Sequence, residues 1–178
     1  MQAAKVTLAH QGVRSMGELR VLVVIANYGT KNDVYLHRVL SEYRRLQCSV
    51  KIVVLSNLSK DLGSDVEVVV GCPERDPWSM PFGHKRIFCE QQDQFDLFIY
   101  TEDDMLITEG NIKAFLRIGS VLREDEIVGL FQYETFPDGR LFYPAVHSHF
   151  RLLPNSVHRV EDYVFGKFTN LHSACYIL

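Results

Sequence analysis

The 178-residue sequence has no apolar run that approaches the ~20 residues needed for a membrane-spanning helix. Its first fifteen residues also lack the apolar core of a signal peptide, so nothing in the pattern indicates export. The chain has no excess of positive charge: the formal net charge is -3, and the basic pair Arg44 and Arg45 is not part of a longer run. This balance argues against a protein that mainly binds nucleic acid.

The sequence has only four cysteines, and their spacing does not indicate a structural metal site. The four cysteines have neither the spacing of a zinc finger nor the density of a disulfide scaffold. They are Cys48, Cys72, Cys89 and Cys175. We interpret them as reduced thiols and expect a cytoplasmic protein.

The sequence does have the composition of an ordinary folded domain, with 47% hydrophobic and 23% charged residues. Its length suits one domain. We expect residues 1–17, which show no clear period, to be a loose leader. Residues 18–178 are then predicted to fold as one unit.

Aliphatic runs and helical patterns alternate in the first half of the chain. Residues 19–26 and 50–55 are predicted to be buried strands, with a helix between them that begins at Asn32 or Asp33. A strand, helix and strand of this length form a right-handed crossover, so the two strands should be parallel. Further elements are predicted at residues 66–70 (strand), 84–94 (helix), 97–101 (strand) and after Thr108 (helix). This order indicates an α/β fold.

The second half has a different pattern. Residues 127–133 are predicted to form a strand, and the turn at 136–140 connects it to residues 141–143 in a hairpin. The chain ends within the apolar stretch 174–178, where we predict a strand. Because that stretch has no cap or polar tail, we expect the sequence to be truncated at its C-terminus.

Three consecutive acids, Glu102, Asp103 and Asp104, follow the predicted strand 97–101. Ligands of open α/β sheets bind at the carboxyl ends of the strands, where three carboxylates call for a cationic partner. Carboxylate oxygens suit Mg²⁺ or Mn²⁺, which usually need only one or two of them together with phosphate and water oxygens. The alternative is an acidic turn that faces water and favours the start of the next helix.

The stretch 98–104 resembles the D-x-D motif of glycosyltransferases with the GT-A fold, the nucleotide-diphospho-sugar transferase superfamily, with Glu102 in the first place. The element order from residue 19 to about 133 is also similar. The resemblance implies a three-layer α/β/α fold, with a nucleotide-sugar-binding half at 19–108 and an acceptor half at 109–178. It also implies that Asp104 binds Mn²⁺ or Mg²⁺, that Glu102 reaches the metal through water or contacts the ribose, and that Asp103 assists.

By the same resemblance, the nucleoside is held after the first two strands, at Ala26, Asn27, Tyr28, Ser56 and Asn57. Tyr28 could stack on the base and Asn57 could read its edge. Alternatively, these residues are ordinary turn formers.

His84 and Lys85 open the predicted helix before the acidic stretch. Backbone amides and side-chain cations at this point could meet a diphosphate, or the residues could be a solvated first turn.

Glu161 and Asp162 resemble the acidic pair in the acceptor half of inverting enzymes of this family. Either carboxylate could take the proton of an acceptor hydroxyl, and the alternative is surface charge. His147, His149 and His172 are candidate metal ligands or acceptor contacts, although single histidines are commonly structural.

The expected activity is transfer of a sugar from a nucleotide-diphosphate sugar to a hydroxyl on an unknown glycan, lipid or protein. The alternative is a nucleotide-sugar-binding domain without turnover. A nucleotidyltransferase is disfavoured because residues 27–31 lack the expected glycine-rich basic loop.

Overall fold

A mostly parallel five-stranded sheet lies at the centre of the protein in the computed structural model, with its strands in the spatial order 66–70, 49–56, 20–27, 97–102 and 175–177. The structure describes residues 15–71, 76–123, 125–136, 138–142, 151–169 and 174–178. In chain order, the elements are β1 (Arg20–Asn27), α1 (Asp33–Arg44), β2 (Ser49–Ser56), β3 (Val66–Val70), α2 (His84–Glu90), β4 (Leu97–Glu102), α3 (Glu109–Gly119), β5 (Glu134–Thr135), β6 (Leu141–Phe142), β7 (His158–Val160), β8 (Tyr163–Phe165) and β9 (Cys175–Ile177).

Strand β1 pairs in parallel with β2 on one side and with β4 on the other. The predicted parallel arrangement of β1 and β2 is therefore confirmed. The register brings Asn27 opposite Ser56 and Ala26 opposite Glu102, so the three strands end at nearly the same level. Their carboxyl ends form one edge, which we call the carboxyl edge.

The central strands are buried on both faces, which explains their unbroken apolar runs. Successive side chains of a strand point to opposite faces. Val23 and Ile25 accordingly pack in one cluster, which also receives side chains from α1 and α3. Leu22 and Val24 pack in a second cluster, which receives side chains from α2. Helices thus cover both faces of the sheet.

The helix boundaries agree with the sequence at some points and differ at others. Thr108 caps α3 as predicted, because its hydroxyl accepts a hydrogen bond from the backbone N–H of Asn111. Asn32 occupies the N-cap position of α1, but its side chain makes no capping bond. Helix α2 ends at Glu90 rather than at residue 94, since the chain turns from Gln91 onward.

The prediction of a strand at residues 127–133 is wrong. Side chains there alternate between exposed and half-buried, as they would in a strand, but the segment joins no ladder among the described residues. A strand needs a partner for its backbone groups as well as an apolar pattern. The predicted hairpin does form, and within the described residues its ladder pairs Glu134–Thr135 with Leu141–Phe142.

The C-terminal stretch forms the predicted strand. Strand β9 adds to the sheet antiparallel to β4, so that β4 is an interior strand. The longest described helix, α1, has 12 residues, and no described helix is long and apolar enough to cross a bilayer.

Candidate functional site

The carboxyl edge collects polar side chains from three strands. Asn27 ends β1, Ser56 ends β2, and Glu102 ends β4. Asn27 and Ser56 are 1% and 0% exposed, so they lie beneath the surface of this edge rather than on it. Ala26 is also buried and packs with the α2-side cluster.

Asp103 is the most enclosed of the three consecutive acids, with 6% of its surface exposed. Its carboxylate accepts hydrogen bonds from the Nδ2 atoms of Asn27 at 2.7 Å and Asn32 at 2.8 Å. The hydroxyl of Ser56 lies 3.5 Å from the Oδ1 atom of Asn27 and extends the network. We call these four residues, Ser56, Asn27, Asp103 and Asn32, the Asp103 network.

Burial raises the pKa of Asp103 above its ordinary value. The hydrogen bonds from Asn32 and Asn27 act in the opposite direction because they stabilise the charged form, while the carboxylates of Asp104 and Asp33 raise the pKa further. Two neutral amides are the strongest partners of this carboxylate. They satisfy its oxygens without supplying a positive charge.

The loop between β1 and α1, residues 28–32, is held from its other side by the segment that follows β2. Gly29 donates its N–H to the Oδ1 atom of Asn57 at 2.7 Å. The ammonium of Lys60 donates to the carbonyl of Gly29 at 2.7 Å and to Asp33 at 2.5 Å. Gly29 has φ of 70°, a conformation that glycine adopts readily. Tyr28 projects from this loop and is 54% exposed.

Glu102 and Asp104 differ from Asp103 in their surroundings. Glu102 follows Phe98 and Tyr100 at alternate positions, so it faces the α2 side of the sheet. Burial raises the pKa of the Tyr100 hydroxyl, and the nearby carboxylate of Glu102 raises it further. Asp104 is exposed in the turn after β4. The three acids therefore have three different environments.

The two acids that the sequence predicts as metal ligands, Glu102 and Asp104, lie at the end of β4 and in the turn after it, with Glu102 beside the Tyr100 hydroxyl. Within the described part of the chain, no group of three or more histidine, cysteine, aspartate or glutamate side chains could hold a metal. Mg²⁺ commonly takes one or two protein carboxylates and completes its octahedron with phosphate and water oxygens. The donors present fit that kind of site, in which the nucleotide brings the remaining ligands.

His84 lies in the core at 2% exposure, not at the surface. Its ring stacks on Tyr100 with the ring centroids 4.0 Å apart. Its Nδ1 lies 2.5 Å from the carbonyl of Pro81, which can only accept, so Nδ1 carries the proton and Nε2 accepts from the hydroxyl of Tyr176. Burial lowers the pKa of His84 to about 4. The side chain is neutral at pH 7 and supplies packing there, not positive charge.

Lys85 remains near the surface, where its ammonium lies 4.9 Å from the ring centroid of Phe82. Helix α2 has seven residues and no side-chain cap. Of the two residues predicted to contact a diphosphate, His84 and Lys85, Lys85 is therefore the one that is exposed and positively charged.

The environment of His84 predicts a loss of stability in acid. Between pH 6.5 and about 4 the unfolded chain binds a proton that the folded chain does not, so the free energy of unfolding falls as the pH falls. From pH 7 to pH 4.5 we expect His84 to contribute about 2 kcal/mol to this loss. Urea unfolding of the wild type and of His84→Phe at both pH values measures it.

The His84→Phe variant serves as the reference because phenylalanine can stack on Tyr100 but cannot titrate. Its loss of the hydrogen bonds to Pro81 and Tyr176 is the same at both pH values. An equal acid-induced change in the wild type and the variant would contradict the assignment.

Glu161 and Asp162 lie in the tight turn between β7 and β8, where both are exposed and Glu161 has φ of 51°. The β7–β8 hairpin contacts the far end of α3, since the guanidinium of Arg117 lies over the ring of Tyr163. Arg117 is eight residues after Glu109, or ~12 Å along the helix. The described contacts do not join this pair to Glu102 and Asp104, so its role as base stays a prediction. His147, His149 and His172 lie outside the described residues.

No protein-family model matches this chain, and no curated protein matches it. The function is therefore inferred from the carboxyl edge itself.

The sequence does not indicate the role of two residues at this edge. Its pattern predicts Asn32 only as a helix cap and assigns no role to Lys60. A lysine after β2 had no local partner to indicate its role, since Gly29 and Asp33 lie 31 and 27 positions away.

Proposed function

We propose that this protein binds a nucleoside-diphosphate sugar at the carboxyl edge and transfers the sugar to a hydroxyl acceptor, as glycosyltransferases of the GT-A fold do. The observation that carries the proposal is the register of the sheet, which aligns the ends of β1, β2 and β4 beside the acidic turn. Ligands of parallel α/β sheets bind at such an edge. The element order and the Glu102 to Asp104 motif support the same family.

The nucleoside end of the donor would lie on the β1–α1 loop. Tyr28 is exposed there on a loop whose backbone is held by Asn57 and Lys60, so its ring is available to stack on a base. The Oδ1 atom of Asn57 is engaged by Gly29. Its NH₂ group is left to donate, so it would read a carbonyl or ring-nitrogen acceptor on the base.

The diphosphate end would lie at the acidic turn. Mn²⁺ or Mg²⁺ held by Asp104 and Glu102 would neutralise the charge on the diphosphate leaving group. The exposed position of Asp104 leaves its carboxylate accessible to an ion that arrives with the nucleotide. Glu161 or Asp162 would take the proton of the acceptor hydroxyl.

A thermal-shift panel of nucleoside diphosphates and nucleotide sugars, with Mn²⁺ or with a chelator, tests the proposal. A ligand at a hundred times its dissociation constant stabilises the folded state by about 2.7 kcal/mol, which raises the melting temperature of a chain of this size by about 5 to 10 °C. We expect such a shift only when nucleotide and metal are both present.

Tyr28→Ala should greatly reduce the shift, while Tyr35→Ala, which removes another half-exposed tyrosine from the surface of α1, should not. The absence of stabilisation by every nucleotide with either metal would contradict the proposal. Binding without transfer would favour the alternative of a nucleotide-sugar-binding domain.

A further inference from the structure

The side chain of Asp103 faces into the protein, although it stands between two acids of the proposed metal site. It is 6% exposed, and both of its amide partners come from the region around the β1–α1 loop. Asn27 precedes the loop as the last residue of β1, and Asn32 is the loop's last residue before α1. One carboxylate therefore accepts hydrogen bonds from residues at both ends of the same loop.

Hydrogen-bond chemistry fixes the direction of every bond in the Asp103 network. Asp103 can only accept while ionised, so Asn27 and Asn32 present their NH₂ groups to it. The carbonyl oxygen of Asn27 is then left facing the hydroxyl of Ser56. A buried carboxylate that lost these donors would be strongly destabilised, which makes the arrangement of the loop and the presence of Asp103 interdependent.

Asn32 forgoes a helix-capping bond in this arrangement. It stands at the N-cap of α1, where an asparagine side chain ordinarily accepts from the helix backbone, and it makes no such bond. Its side chain is directed to Asp103, which lies 71 positions away. The contact with Asp103 thus takes the place of a favourable local bond.

The opposite side of the loop is held by Asn57 and Lys60, which bind the N–H and carbonyl of Gly29. Together with the Asp103 network, these contacts fix the backbone on either side of Tyr28. A loop that is ordered before binding loses less conformational entropy when a ligand stacks on it.

We propose that Asp103 is a positioning residue: its carboxylate holds the β1–α1 loop in the conformation that presents Tyr28 to the nucleoside, and it does not ligate the metal. The nucleoside part of this assignment rests on the proposed function. The structural part, a loop ordered by a buried carboxylate, does not depend on any ligand.

A reciprocal exchange of side chains tests the assignment. In Asp103→Asn, both hydrogen bonds at position 103 lose the charge of their acceptor, and the Asn27 amide must turn over to accept from the new NH₂ group. In the double variant Asn27→Asp with Asp103→Asn, the amide at 103 accepts from Asn32 and donates to the carboxylate at 27, which still faces Ser56. The double substitution restores all the hydrogen bonds of the Asp103 network while it moves the negative charge from position 103 to position 27.

The first measurement is hydrogen exchange of the amides at 28–32 without any ligand. We expect exchange about 10-fold or more faster in Asp103→Asn than in the wild type, and a return to within about 3-fold of the wild type in the double variant. Unchanged exchange in Asp103→Asn would overturn the assignment. If Asp103→Asn does not fold, Asn32→Ala, which removes only the donor on the loop side, should show the same increase.

The second measurement is the affinity for uridine and guanosine diphosphate as a function of Mn²⁺ concentration. We expect the affinity of the bound diphosphate to fall about 10-fold in Asp103→Asn and to recover in the double variant, with an unchanged Mn²⁺ requirement. A Mn²⁺ requirement that rises in both variants would show that Asp103 is a metal ligand instead. If neither diphosphate binds the wild type but hydrogen exchange changes in the variants as expected, the proposed function fails and the loop-ordering role of Asp103 stands.

Discussion

Replacing Asp104 with alanine is expected to weaken the Mn²⁺-dependent affinity for a nucleoside diphosphate by about 10- to 100-fold, because hydrogen bonds and contacts to a charged group are worth about 1.5 to 3 kcal/mol. Asp104 is the exposed acid of the motif, and in the proposed site it holds the ion together with Glu102. Losing the Asp104 carboxylate leaves the metal and its bound diphosphate with a weaker connection to the protein. Calorimetric titration with Mn²⁺ and with a chelator measures the change.

The fold should tolerate this substitution. Asp104 is exposed in a turn, and surface substitutions usually change the free energy of unfolding by no more than about 0.5 kcal/mol. Asp93→Ala is a matched control, since Asp93 is an exposed aspartate in the turn that precedes β4, at the opposite end of that strand. An Mn²⁺-dependent affinity that is the same in Asp104→Ala and the wild type would exclude Asp104 as the metal ligand.

In one of the two amide variants, Glu161→Gln or Asp162→Asn, we expect transfer to fall by about 10²-fold or more, the contribution that a general base ordinarily makes. The amide keeps the size of the side chain but cannot take the proton of the acceptor hydroxyl. Donor binding should remain nearly unchanged, because the pair lies on the β7–β8 turn and not at the end of β1, β2 or β4.

The measurement is acceptor-dependent release of nucleoside diphosphate from the donor selected by the thermal-shift panel, with monosaccharide, peptide and lipid hydroxyls as acceptors. Donor hydrolysis is subtracted. Both side chains are exposed, so neither variant should lose stability, and a fall in transfer reports on chemistry rather than on folding. Full transfer in both variants would place the base elsewhere in the chain.

The sequence was sufficient for the central sheet because the relevant signals are local. The aliphatic runs of β1 and β2, with a helix between them, can hardly form anything other than parallel strands joined by a crossover. The strand predicted at residues 66–70 has the same first and last residues in the structure. Thr108 caps α3, as its hydroxyl and its place just before the helical pattern predict. The acidic stretch was also recognisable as the end of a buried strand, because apolar residues precede it directly.

The local sequence pattern is insufficient to predict structure where a partner far along the chain decides the outcome. Residues 127–133 have the alternation of a strand, yet no described strand pairs with them. His84 begins a helix as predicted, but its burial depends on Tyr100 from β4 and on Tyr176 from β9, 92 positions along the chain. No neighbour in sequence distinguishes a buried neutral histidine from an exposed cationic one.

The amino-acid sequence by itself determined the α/β order, the buried strands and the position of three acids at a strand end, since each of these depends on the period and type of adjacent residues. The tertiary structure alone decided how the acids are divided. The register of β1 against β4 brings Asn27 and Asn32 to Asp103, across 76 and 71 positions, and leaves Asp104 exposed beside it. Hydrogen-bond partners that far apart are chosen by the packing of the sheet and α1, which no local pattern encodes.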